Sequence, residues 1–163
     1  MFQTTYQLLT LFHSVEEIRG RKKLQKMVHL LKSSGTDFPF KYRYHHYGPY
    51  SSQLQSEMDQ LVSQEFLEET FEDGAYTYHI TERGREFKTM LEKDGGFSFS
   101  LQNDIVEQLA DKSTPFLEMF STYVFLLESG DTKAEGKAKA EELKPHLKDQ
   151  LDDVITAYEE YII

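Results

Sequence analysis

Apolar residues recur along the first half of the chain at spacings that switch between helix and strand. Leu8, Leu9 and Phe12 lie one helical turn apart, which predicts a helix over residues 4–13. Glu16-Glu17-Ile18-Arg19-Gly20 breaks that period and reads as a short extended segment. From Arg21, the stripe Leu24, Met27, Val28 and Leu31 follows the spacing of a one-sided amphipathic helix, closed by Ser33-Ser34-Gly35. That geometry leaves Lys22 and Lys26 stacked one turn apart on the outer face. Phe38, Phe40, Tyr42 and Tyr44 alternate at period two, predicting a strand-like segment with one aromatic face, and Gly48-Pro49 predicts a turn. Ser52 with Gln55 reads as a capping box opening a third helix, with Leu54, Met58, Leu61 and Val62 inward. Asp73-Gly74 between two β-prone runs, 66–71 and 75–80, predicts a hairpin. Thr81 caps the next helix, in which Phe87 and Leu91 lie one turn apart and Gly84 permits close packing.

Lys93-Asp94-Gly95-Gly96 interrupts the pattern and predicts a boundary between residues 1–94 and 95–163. Beyond it, Pro115 opens a helix with a broad stripe of Phe116, Met119, Phe120, Tyr123, Val124 and Leu127. Thr132 with Glu135 forms a second capping box, and the last helix presents Leu151, Val154, Ile155, Tyr158 and Ile162. With a weaker helix near residues 101–110, four helices are expected to pack as a small C-terminal bundle.

The resulting class is mostly α, formally α+β. Helix, short strand, helix, extended turn, helix, hairpin and helix is the order of a winged-helix domain, here over residues 1–94. Tyr78-His79-Ile80-Thr81-Glu82-Arg83-Gly84-Arg85-Glu86-Phe87 resembles the junction between wing and helix in many bacterial winged-helix regulators. Lys23-Leu24-Gln25-Lys26-Met27, followed by the motif turn Tyr47-Gly48-Pro49-Tyr50-Ser51, is a more restricted pattern. It resembles the YwgA-type family of largely uncharacterised bacterial proteins, a likeness that extends to Lys144-Pro145-His146-Leu147. More distantly, residues 20–62 resemble the Panacea domain, which implies an antitoxin-like role.

Charge changes this picture. The net charge is −10, yet residues 1–90 carry 11 cations and 12 anions, while residues 91–163 carry 7 and 16. Between Arg19 and Arg43 the balance is +7, with Asp37 as the one acid. An acidic half beside a basic segment implies intramolecular pairing or a polyanion surface. The candidate interaction patch is Arg19, Arg21, Lys22, Lys23, Lys26, Lys41 and Arg43. Arg21 falls in the first turn of its helix, where the dipole disfavours a cation, so a further partner is expected there.

Candidate chemistry is sparse. Cys is absent, which excludes disulfides and thiolate metal sites and fits a cytoplasmic setting. His45-His46, with His29 or His79, lacks any metal-ligand spacing, and adjacent residues on an extended segment point apart. No Gly-x-Ser-x-Gly or P-loop occurs, so no enzyme, cofactor or metal is expected. The N-terminus has no signal-peptide pattern, and Tyr123 to Leu127 is too short an apolar run for a membrane span. The aromatic face at residues 38–44 could stack single-stranded bases, but half-buried strands need the same pattern. The third helix exposes Gln53, Gln55, Ser56, Glu57, Asp59 and Gln60, and the hairpin adds Glu68, Glu69, Glu72 and Asp73. Those surfaces would repel phosphates. The expected role is a non-catalytic regulatory or protein-interaction module, either with an unidentified protein partner or as a homodimer. The alternative is a DNA-binding regulator that uses residues 19–43 in place of the third helix.

Overall fold

The computed structural model describes residues 2–162. Helices dominate, joined by two small antiparallel sheets. The order is α1 (Gln3–Val15), β1 (Glu17–Arg19), α2 (Arg21–Ser33), β2 (Arg43–His45), β3 (Gly48–Tyr50), α3 (Ser52–Ser63), β4 (Leu67–Glu72), β5 (Ala75–Ile80) and α4 (Glu82–Gly95). It continues through α5 (Asn103–Ala110), α6 (Thr114–Glu128), α7 (Lys133–Leu143), a 3-10 turn (Pro145–Gln150) and α8 (Leu151–Tyr161). β5 lies between β1 and β4, with Ile18 opposite Tyr78 and Thr70 opposite Thr77. β2 and β3 form a separate ribbon.

Local chemistry explains most boundaries. The β4–β5 hairpin turns at Asp73-Gly74, both at positive φ, as a tight two-residue connection requires. Thr81 caps α4 by accepting from the Gly84 N–H at 2.9 Å. Gly84 itself faces the Phe66 carbonyl so closely that a Cβ there would sit 2.2 Å from its oxygen. Ser113 caps α6 with Pro115 in the first turn, and Thr132 with Glu135 forms a reciprocal capping box on α7.

Four expectations need correction. The aromatic run at residues 38–42 forms no strand, although Phe38 and Phe40 are buried as a core-facing segment requires. The tight turn sits at His46-Tyr47, and Gly48-Pro49 lies inside β3. Pro49 is tolerated there because a two-stranded ribbon has only edge strands. Ser51, not Ser52, caps α3: its hydroxyl accepts from the Leu54 N–H at 3.2 Å, while Gln55 turns outward to Asp59. The fourth correction concerns α2, which is enclosed on both sides, with residues 24–31 buried without interruption. The side expected to face water is covered by α6, itself buried from Phe116 to Val124.

One apolar core therefore runs from α1, α2 and α3 into α5, α6 and α8. Among the described residues, no helix is long and apolar enough to cross a membrane. Leu54, Met58 and Leu61 all lie in this core. Leu61→Ala should cost about 2–5 kcal/mol in chemical denaturation. Gly84→Ala should cost about 1–3 kcal/mol, because the Phe66 carbonyl belongs to the backbone and has little room to yield. An unchanged melting temperature for either variant would show that its contact is peripheral.

Candidate functional site

Two motifs distant in sequence meet at the start of α2. The Gln25 amide donates to the Ser51 carbonyl at 2.9 Å, and the Ser51 N–H donates back to Gln25 Oε1 at 2.9 Å. One residue on, Lys26 Nζ donates to the Pro49 carbonyl at 2.7 Å. Gln25, Lys26 and Ser51 are all buried. The Gln25 pair holds the chain extended up to Ser51, which is why the helix cap falls there. Gly48 has a φ of +95°, and a Cβ would approach Thr122 Oγ1 to 3.0 Å, so both backbone conformation and space favour glycine. Lys26 thus departs from its expected place on the outer face: only 2% of its surface is exposed.

α6 places Glu118 beside this lock. Lys144, at the end of α7, reaches Glu118 Oε2 at 3.0 Å and donates to the His46 carbonyl at 2.9 Å. Lys22 approaches Glu118 Oε1 at 3.5 Å, with its ammonium 3.9 Å from the centre of the Tyr47 ring. Burial pushes the Lys26 ammonium down to about 8 from the ordinary 10.5, only partly offset by the nearby Glu118 carboxylate. An open cleft of about 290 Å³ lies over this cluster. Its walls include Arg21, Lys22, Lys26, His45, Tyr47 and Tyr50.

Further along α2, His29 Nδ1 lies 2.6 Å from Ser121 Oγ and its Nε2 lies 2.9 Å from Glu128 Oε1. Ser33 donates to the other Glu128 oxygen at 2.8 Å. Partial burial opposes ionisation of Glu128, but these hydrogen bonds hold its carboxyl below the usual range. A serine, a histidine and a carboxylate in line also describe a hydrolytic triad. Here Ser121 has no exposed surface and sits mid-helix, where neighbouring N–H groups are already bonded, so the arrangement ties two helices together.

The other cations of the candidate patch divide sharply. Arg21 is paired on the hairpin, not with the acidic C-terminal half: Nε donates to the Tyr78 hydroxyl at 2.9 Å and Nη2 pairs with Glu69 at 3.1 Å. Burial opposes its charge, but these two partners outweigh that and hold the guanidinium above its ordinary range. Lys23 donates to the Ala110 carbonyl at 2.5 Å, and Arg19 reaches the Glu72 carbonyl at 3.4 Å. Lys41 and Arg43 are exposed, and among the described residues neither forms an ion pair. The histidines do not converge: His45 packs on Tyr50, His46 on Tyr47, and His29 is buried against α6. Among the described residues, no cluster of three or more His, Asp or Glu could hold a metal ion.

Sequence reasoning did not single out Glu118, Ser121 or Thr122 as site residues, and it weighed His29 only as a metal ligand. The available signal was a carboxylate and two hydroxyls inside the otherwise apolar run from Phe116 to Val124. Polar residues at positions a helix must bury imply specific partners.

Gln25→Leu should destabilise the protein by about 1–3 kcal/mol, because the buried Ser51 N–H is left unpaired while its carbonyl keeps the Gln55 N–H. Hydrogen exchange at the Ser51 amide should rise with it, and unchanged protection would overturn the lock. Folded Lys26 releases its proton at about 8, whereas an unfolded lysine does so near 10.5, so the unfolded chain binds more protons between those values. Wild-type stability should therefore rise relative to Lys26→Met across that window, by at most about 3 kcal/mol. Tyr78, pushed up to about 12 mainly by burial, acts in the opposite sense only above its ordinary 10. Parallel stability curves from about pH 7 to 10 would show that Lys26 does not titrate there.

No family model matches the chain. Along nearly its whole length, however, it is similar to an uncharacterised protein, YwgA, of Bacillus subtilis (strain 168). The two are 30% identical over 167 aligned positions, which cover 98% of this chain and 97% of that protein. By that likeness the chain belongs to the YwgA family.

Proposed function

We propose that the chain is a non-catalytic regulatory module on a winged-helix scaffold that contacts a protein partner through the β2–β3 ribbon. In this reading α1, α2 and α3 with the sheet β1-β5-β4 form the winged helix, β4–β5 is the wing, and residues 95–163 are a helical part packed upon it. One observation carries the functional half. Most of the basic segment is held by the chain itself, through Glu69, Glu118, Tyr78 and four backbone carbonyls. What stays available is the ribbon and the residues leading into it, where Lys41 and Arg43 precede Tyr44 and Tyr47, which are 36% and 53% exposed. Exposed tyrosines beside cations are typical of protein contacts.

The same accounting opposes duplex binding through residues 19–43, because cations already paired release few counterions. α3 exposes Gln53, Ser56, Asp59 and Gln60, and the wing exposes Glu68, Glu72 and Asp73. Neither surface would neutralise phosphates. An antitoxin-like role, implied by the Panacea resemblance, is one form of this reading, and a second copy of the chain is another candidate partner.

A photo-crosslinking residue at position 47 should give a discrete protein adduct in native cells, absent when the residue is placed at exposed Met90 on α4. Lys41→Glu with Arg43→Glu should abolish the adduct and leave the melting temperature unchanged. In gel shifts at low salt, duplex DNA should not bind. A complex that weakens steeply with salt and needs Lys22 would favour the DNA reading.

A further inference from the structure

We propose that the cleft between the first turns of α2 and the β2–β3 ribbon binds a small organic oxyanion, a carboxylate or a phosphate ester. Its charged head would sit on Lys26 and Lys22, and its body against Tyr47 and Tyr50. This goes beyond the protein-partner reading and does not depend on it.

Charge is the first argument. Three ammonium groups, on Lys22, Lys26 and Lys144, surround the single carboxylate of Glu118. Its Oε2 is taken by Lys144 and its Oε1 by Lys22. Among the described residues, no carboxylate lies within ion-pair distance of Lys26, whose one acceptor there is the Pro49 carbonyl. The cluster therefore carries an excess of positive charge beneath the cleft, and a buried charge calls for a counter-charge.

Hydrogen bonding gives the second. An ammonium has three N–H donors, and among the described residues only one of those on Lys26 finds a protein acceptor. Lys26 is almost wholly buried, yet it lines the cleft, so the direction from which an acceptor can reach it is the cleft itself. Gly48 lines the same wall and has no side chain to block that approach.

The lining sets the ligand class. Among the described residues, no Asp or Glu contributes to the walls, although the chain as a whole is strongly acidic. Tyr47 and Tyr50 provide flat apolar faces on the ribbon side, and Lys22, over the Tyr47 ring and 3.5 Å from Glu118, presents its ammonium at the cleft wall. A volume of about 290 Å³ fits a ligand no larger than a mononucleotide.

The full chain would be titrated calorimetrically with inorganic phosphate, succinate and adenosine monophosphate, and followed by amide chemical shifts. At least one probe should saturate at one site per chain and shift Gly48 and Tyr47. Phosphate-bearing probes alone assign a phosphate head, and succinate alone a carboxylate. Lys26→Met should weaken binding about tenfold or more, as removal of a buried charge partner does, and Lys22→Gln should weaken it several-fold. If Lys26→Met fails to fold, the exposed positions decide through Lys22→Gln and Tyr47→Ala. No saturation by about 10 mM overturns the proposal. So does binding that is indifferent to Lys22→Gln and Tyr47→Ala, or shifts confined to another face.

Discussion

Enclosure of α2 on every side from Leu24 to Leu31 is the constraint from which the rest of the structure follows. A surface helix can leave its polar face to water, but this one cannot. Gln25, Lys26 and His29 are each buried, so each must meet a partner or impose a desolvation cost. The ribbon and the cap of α3 supply partners for the first two, and α6 supplies them for the third. An apolar face in their place could be as stable or more so. What the polar contacts add is register: Lys22 with Glu118, His29 with Ser121 and Ser33 with Glu128 fix how α2 and α6 lie along one another.

The same constraint governs the electrostatics. An acidic C-terminal half and a basic segment near the N-terminus admit two readings, mutual pairing or recruitment of a polyanion. Glu118 and Glu128 take Lys22, Lys144, His29 and Ser33, while Glu69 on the hairpin takes Arg21. Little of the basic segment remains free. The residual positive charge gathers where burial prevents complete pairing, around Lys26, and at the exposed side chains of Lys41 and Arg43.

The features legible in the sequence were those set by short-range chemistry. Asp73-Gly74 allows a two-residue turn, Thr81 and Thr132 offer oxygens at the right distance from free N–H groups, and Pro115 suits a first helical turn. Less legible was anything set by a distant partner. The stripe Leu24, Met27, Val28 and Leu31 identifies one buried face, but nothing in that stripe says that α6 covers the opposite one. The cap of α3 was misplaced by one residue for the same reason, since Ser51 is selected over Ser52 by Gln25, 26 positions earlier. Of the candidate patch, the residue types were read correctly as cations, whereas their allegiance to carbonyls and carboxylates of the same chain needed the tertiary structure.

The paired hydrogen bonds between Gln25 and Ser51 have a dynamic consequence. They join the middle of α2 to the cap that initiates α3, so neither helix can fray at that junction without releasing the other. Lys26 binds the ribbon into the same unit through Pro49. Segments coupled in this way open together as one cooperative block, at a free energy set by the whole block. The ribbon is short, and a two-stranded ribbon alone is barely stable. Its exposed tip is thereby held in one shape by a buried anchor, and whatever docks there meets a surface whose ordering entropy was lost when the protein folded.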